Sequence, residues 1–127
     1  MFRFPIVVFC MKKQIDLVKE FHEKFGVPVL GESALTSADR ATFRHKIMKE
    51  EVEEYLKGFE NGDLPNLAKE LADILYTVYG TILEHGLQDK IEDIFDEVHR
   101  SNMSKDAHEF KMVKGPTYFK ADVKKFF

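Results

Sequence analysis

Apolar residues recur at helical spacing in four segments of this 127-residue chain, and no strand-rich block interrupts them. Ile15, Val18, Phe21 and Phe25 mark a helix over Lys12 to Phe25, which Gly26 and Pro28 stop. Residues 26–36 read as a loop. Thr36 or Ser37 caps the next helix, with Asp39 favourable in its first turn. That helix runs to about Glu60, where Asn61-Gly62-Asp63 ends it. Pro65 lies at the start of the third helix, which continues to about His85, with Gly86 as its stop. The fourth runs from about Gln88 past Val98 on a stripe of Ile91, Ile94, Phe95 and Val98. After Ser104 the pattern decays. Gly115-Pro116 signals a turn, so residues 106–127 form an irregular tail: a loop or short hairpin, then one last helical turn. Short connections make helices two, three and four antiparallel neighbours. The predicted fold is an all-α four-helix bundle, one domain over residues 1–127.

The third helix departs from ordinary amphipathic patterning. Glu70 and Asp73 are followed by no charge at all from Ile74 to Leu83. Leu67, Leu71, Ile74, Leu75, Val78 and Ile82 form one broad apolar face. Glu70, Asp73, Thr77 and Thr81 form a line on another, because residues three and four apart stack on a helix. Ala72, Tyr76 and Leu83 flank that line, so no solvated face remains and the carboxylates are expected to point into protein. A buried carboxylate needs a partner. A metal ion is one such partner, and the plain alternative is a carboxylate favoured by the helix dipole.

The second helix carries Glu50, Glu51, Glu53 and Glu54, a cluster that by itself equally describes a solvated face. At about 100° per residue, Ala41, Met48, Val52, Tyr55 and Phe59 define the expected buried stripe. Lys46, Glu53, Lys57 and Glu60 lie opposite. Glu51 and Glu54 sit on a shoulder beside the stripe, and Gly58 leaves room there. Glu51-x-x-Glu54 and Glu70-x-x-Asp73 thus occupy antiparallel neighbours and are expected to converge. Four like charges close together raise one another's pKa, and a divalent cation relieves them. An all-oxygen site suits Mg²⁺, with Mn²⁺ as a substitute, and Mg²⁺ shares itself with substrate phosphates. A di-iron bundle would want Glu-x-x-His twice, and only Asp96-x-x-His99 approaches it.

Composition narrows the partners. A net charge of −3 argues against a nucleic-acid polymer. The lone Cys10 excludes an internal disulfide and fits the cytoplasm. No apolar run is long enough to span a membrane. The apolar N-terminal segment lacks a small-residue cleavage site, so no signal peptide is expected. Residues 1–11 read as an extension of unassigned role: a strand, a helix lead-in or a subunit contact. Twelve Phe residues and a small core favour burial between subunits, as a homodimer or homotetramer.

With KEEVEEY in one helix and ELADILYTVYG in the next, the chain resembles the all-α nucleoside triphosphate pyrophosphohydrolases. That group spans MazG-like proteins, dimeric dUTPases and phosphoribosyl-ATP pyrophosphohydrolases. Its Glu-x-x-Glu and Glu-x-x-Asp signature falls here on Glu51, Glu54, Glu70 and Asp73. EVHRSNMSK and KGPTYFKAD look like the C-terminal blocks of a MazG-like branch, whereas MFRFPIVVFCM matches nothing in the family. The resemblance covers roughly Ile15 to Asp122. It implies Mg²⁺-dependent hydrolysis of (d)NTP to (d)NMP and pyrophosphate, in nucleotide-pool housecleaning. It further implies metal binding by the four carboxylates, and substrate binding by Asn102, Lys105, Lys114 and Lys120. Glu50 is carried as the catalytic carboxylate that orients the attacking water. Phosphoribosyl-ATP hydrolysis is the enzymatic rival, and a non-enzymatic helical oligomerisation module is the rival of another class.

Asn102 and Lys105 have their own case, since Asn reads a base or sugar and Lys meets a phosphate. A helix C-terminus favours the same residues. His22 reads first as a core or surface histidine, and Tyr118 and Phe119 as packing of the tail.

Overall fold

The computed structural model describes residues 11–127. Four helices follow in order: α1 Lys12–Phe25, α2 Ala38–Glu60, α3 Leu64–Glu84 and α4 Ile91–Asn102, with a short 3-10 turn at Lys124–Phe126. No strand occurs among the described residues, and one antiparallel bridge pairs Asp106 with Val113. The fold is all-α and fits the four-helix MazG-like type. The tail's hairpin shrinks to that bridge, and its last helical turn lies at residues 124–126. The roles left open for residues 1–11, and the reading of Cys10, lie outside the described residues apart from Met11.

Local chemistry sets the helix ends. Gly26 closes α1 in the left-handed region at φ 69°. Ser37, not Thr36, caps α2, its hydroxyl accepting from the Arg40 N–H at 3.2 Å. Asp63 caps α3 through the Asn66 N–H at 3.1 Å, one residue before the position expected from Pro65. Such caps contribute about 1 kcal/mol each. α4 starts at Ile91, not Gln88, whose amide instead donates to the Leu30 carbonyl at 2.8 Å.

The chain divides into two compact units on either side of Gln88–Asp89. In the first, α3 packs against both α2 and α1. Ile15, Val18, Ile82 and Leu83 are its buried apolar residues. The 26–36 loop is laced to the end of α3: Leu30 N–H donates to Leu83 O, Ala34 N–H to His85 O, and Ser33 Oγ to Gly86 O. Gly86 has φ 64°, and a Cβ there would collide with the Glu32 carbonyl, so glycine is required.

The faces that meet keep only part of the expected stripes: Ile82 is buried, and Met48, Tyr55, Leu67, Ile74 and Val78 are half-buried. On α2, Ala41 is exposed, and Val52 and Phe59 are 52% and 66% exposed. On α3, Leu71 and Leu75 are 45% and 51% exposed. On α1, His22 is buried whereas Phe21 and Phe25 lie open. The α2–α3 contact also carries polar groups: Arg40 and Arg44 from α2 meet Glu84 and, from the α3 line expected to point into protein, Thr77 and Thr81, and Glu70 is buried. Periodicity reports which residues share a face, not which face meets a neighbour. Here ionic partners on facing helices make the polar line the inner one.

The second unit holds α4 and the tail. Its expected stripe is also displaced: Ile91 and Ile94 are half-buried, Phe95 and Val98 exposed, and Glu97 and Ser101 buried. Glu97 accepts a two-pronged pair from Arg100 (2.7 and 2.9 Å), the Asp122 N–H (3.0 Å) and Lys125 Nζ (3.1 Å). Arg100 first, then the Asp122 N–H and Lys125, hold its carboxyl far below the usual carboxylate range. Ser101 Oγ donates to Phe119 O at 2.8 Å, and Ser104 Oγ accepts from Phe119 N–H at 3.1 Å. One polar edge of α4 therefore fastens the tail.

Candidate metal centre between helices α2 and α3

Antiparallel packing carries Glu51 of α2 to Glu70 and Asp73 of α3. One oxygen from each of the three carboxylates lies within 4.8 Å of the others. Glu70 and Asp73 are three residues apart, so both face α2 from adjacent turns. The Glu70 side chain is buried, and Glu51 and Asp73 are half-buried. Near the connecting turn, Gly58 is buried. A Cβ there would lie 3.2 Å from Asn66 Nδ2 and 3.4 Å from the Leu67 backbone, so this glycine admits the close approach of the two helices.

The cluster is electrostatically strained. Burial raises the Glu51 pKa first, followed by the negative charges of Asp73 and Glu70 and a hydrogen bond with Glu70. Lys69 opposes that shift: its ammonium lies 2.9 Å from Asp73 Oδ2 and 3.6 Å from Glu70 Oε1. Three carboxylates therefore share one exposed ammonium. Hard oxygen donors with surplus negative charge fit a hard divalent cation. Glu51, Glu70 and Asp73 are the residues that would hold it.

The other anticipated residues are not among these three. Glu54 is not in the three-carboxylate set; its Oε1 pairs with Lys57 Nζ at 3.0 Å on the exposed side of α2. Glu50 is exposed beside Glu51. Asn102, Lys105, Lys114 and Lys120 all belong to the second unit. Asn102 is the last residue of α4, Lys105 is half-buried in the following turn, Lys114 Nζ lies 5.3 Å from the Tyr118 ring centre, and Lys120 is exposed in the tail.

A second polar cluster, not anticipated from the sequence, lies on the same α2–α3 interface. Arg44, 5% exposed, donates through Nη2 to Thr77 O at 2.8 Å and through Nε to Thr81 Oγ1 at 3.0 Å. Glu84 Oε2 lies 3.0 Å from the same Nε as an ion pair, although Thr81 takes that hydrogen. Arg40 Nε donates to Glu84 Oε1 at 2.8 Å. His22 shares Nδ1 with Pro28 O at 3.0 Å. The Gly80 backbone receives both the Arg44 and His22 side chains. Glu84 was a visible signal, as the charge that closes the uncharged run Ile74–Leu83.

No helix among the described residues is long and apolar enough to cross a membrane. A family model described as phosphoribosyl-ATP pyrophosphohydrolase matches residues 18–102, which span α2, α3, α4 and most of α1. No curated protein matches the chain.

Proposed function

The chain belongs to the phosphoribosyl-ATP pyrophosphohydrolase family, hydrolases acting on phosphoric anhydrides, and on that premise we propose that it is a Mg²⁺-dependent nucleoside triphosphate pyrophosphohydrolase. The observation that carries this reading is the convergence of Glu51, Glu70 and Asp73 across α2 and α3. A bound divalent cation supplies neutralisation of the phosphate chain and a lowered pKa for the attacking water. Glu54 completes the carboxylate set by turning away from Lys57. Glu50 orients the water and takes its proton. Water oxygen bonds to the α-phosphorus, the bond to the α–β bridging oxygen breaks, and pyrophosphate leaves with that oxygen. Asn102, Lys105, Lys114 and Lys120 hold the nucleotide, as the likeness of EVHRSNMSK and KGPTYFKAD to a MazG-like branch suggests.

A second copy of the chain is the proposed cover for the exposed residues Val52, Leu56, Phe59, Leu71 and Leu75. The resulting homodimer or homotetramer works in the cytoplasm on the nucleotide pool. One observation favours a second substrate: the matching family description names phosphoribosyl-ATP. Pyrophosphate release from ribo- and deoxynucleoside triphosphates and from phosphoribosyl-ATP, with and without Mg²⁺, decides between them. Preference for a deoxynucleoside triphosphate supports the first reading. Preference for phosphoribosyl-ATP replaces it, and no release from any substrate leaves a more specialised substrate or a non-enzymatic helical assembly module.

A further inference from the structure

The buried Arg44 cluster has no part in the chemistry above, yet it shares one interface with the carboxylates. Arg44 lies seven residues before Glu51 on α2, and Thr77 lies seven residues after Glu70 on α3. Seven residues make about two turns, so Arg44 shares a face with Glu51, and Thr77 with Glu70. The Arg44–Thr77 hydrogen bond is therefore the Glu51–Glu70 pairing moved two turns away from the connecting turn. Arg40–Glu84 adds an ion pair further out, Arg40 lying four residues before Arg44 and Glu84 seven after Thr77.

Apolar residues tolerate sliding between helices, because one methyl contact replaces another. A buried ion pair does not. A slip of one turn, about 5.4 Å, would take the Arg44 guanidinium from the Thr77 carbonyl and the Thr81 hydroxyl that hold it, although Arg40, one turn away on α2, also reaches Glu84. The same slip would part Glu51 from Glu70 and Asp73. Gly80 adds a steric limit, since the Arg44 guanidinium sits where any Cβ would stand. His22 and Arg40 close the cluster from α1 and from the next turn of α2.

We propose that Arg44, held by Glu84, Thr77 and Thr81, is a positioning residue that fixes the α2–α3 register on which the metal centre depends. The proposal rests on the metal-site reading above. The test is Mn²⁺ affinity, read by electron paramagnetic resonance, in wild type and in the double variant Arg44→Met with Glu84→Leu. The pair of changes removes both buried charges and fills their space with apolar groups; Arg40 also loses Glu84, but its side chain is 35% exposed and meets water instead. Thermal melting by circular dichroism confirms the fold of each sample.

The expected result is a folded double variant whose Mn²⁺ dissociation constant is raised about tenfold, as when a group that orients ligands is lost. A folded double variant that binds Mn²⁺ as tightly as wild type overturns the proposal and leaves the metal centre standing. Wild type that binds no Mn²⁺ overturns the metal centre itself, and this proposal with it. If the double variant does not fold, Arg44→Lys replaces it. Lysine keeps the charge facing Glu84 but cannot span Thr77 and Thr81 with a planar fork. Weakened Mn²⁺ binding in that variant supports the register role, and unchanged binding overturns it.

Discussion

Removing a carboxylate from the metal centre should stabilise the metal-free protein while abolishing its response to metal. Glu51→Gln is the clearest case, because Gln keeps the shape, carries no charge and can donate to Glu70. Oxygens of Glu51, Glu70 and Asp73 lie within 4.8 Å of one another. At that separation two unit charges repel by about 3.5 kcal/mol with an effective dielectric of ~20. Glu51 faces two such neighbours. Lys69 attracts all three carboxylates, and the half-open position of Glu51 and Asp73 admits water and salt. A net relief of about 1 kcal/mol is a fair discount, or a rise of about 3–5 °C in melting temperature for a chain of this size. Wild type should gain about 1.4 kcal/mol at a divalent-ion concentration ten times its dissociation constant. The variant should gain nothing. Differential scanning calorimetry in chelator and in excess Mn²⁺ reads both effects, and the two proteins should exchange rank between the conditions. A variant that melts below wild type in chelator, or keeps the full metal-dependent rise, would refute the reasoning.

Three further expectations follow from the same geometry. Gly80→Ala drives a methyl into Arg44 and to 2.9 Å from His22 Nε2, and should cost about 1–3 kcal/mol in urea unfolding; a neutral change would show that the cluster yields easily. Lys69→Met removes the ammonium that competes for Asp73 and Glu70, so Mn²⁺ should bind about two- to fivefold more tightly by calorimetric titration, and weaker binding would assign Lys69 a supporting role instead. Burial, with Arg44 adding to it, holds the His22 pKa below 6.5 while Pro28 opposes, and Glu84 and Arg40 also face the ring. Between that depressed value and 6.5 the unfolded chain binds a proton that the native chain refuses, so stability should fall as pH drops below about 6.5. His22→Gln should flatten that slope, and an unchanged slope would place the titration elsewhere.

Much of the fold was legible because its signals are local. Gly26, Ser37, Asn61-Gly62 and Gly86 act on the backbone within a few residues, and the helix bounds they set agree with the structure to within three residues. The convergence of Glu51, Glu70 and Asp73 was legible as well, since equal spacing from a short turn places them opposite each other. The inner faces of the helices were not. Val52, Phe59, Leu71 and Leu75 read as core by hydrophobicity, yet they stay exposed while Arg44 and Glu84 go inside; the burial of Glu70 was legible from the uncharged run that follows Asp73. A buried arginine is legible only once its partner is known, and Glu84 lies forty residues further along the chain. Glu54 shows the same limit at short range. The motif groups it with Glu51, whereas Lys57 three residues on holds it at the surface.

The central claim is that Glu51, Glu70 and Asp73 hold a divalent cation between α2 and α3. Mn²⁺ titration followed by electron paramagnetic resonance, on wild type and on Asp73→Asn, tests it most directly. Saturable binding by wild type and at least a tenfold loss in the variant are expected, with both proteins folded. Equal Mn²⁺ binding by the two proteins, or none by wild type, would contradict it.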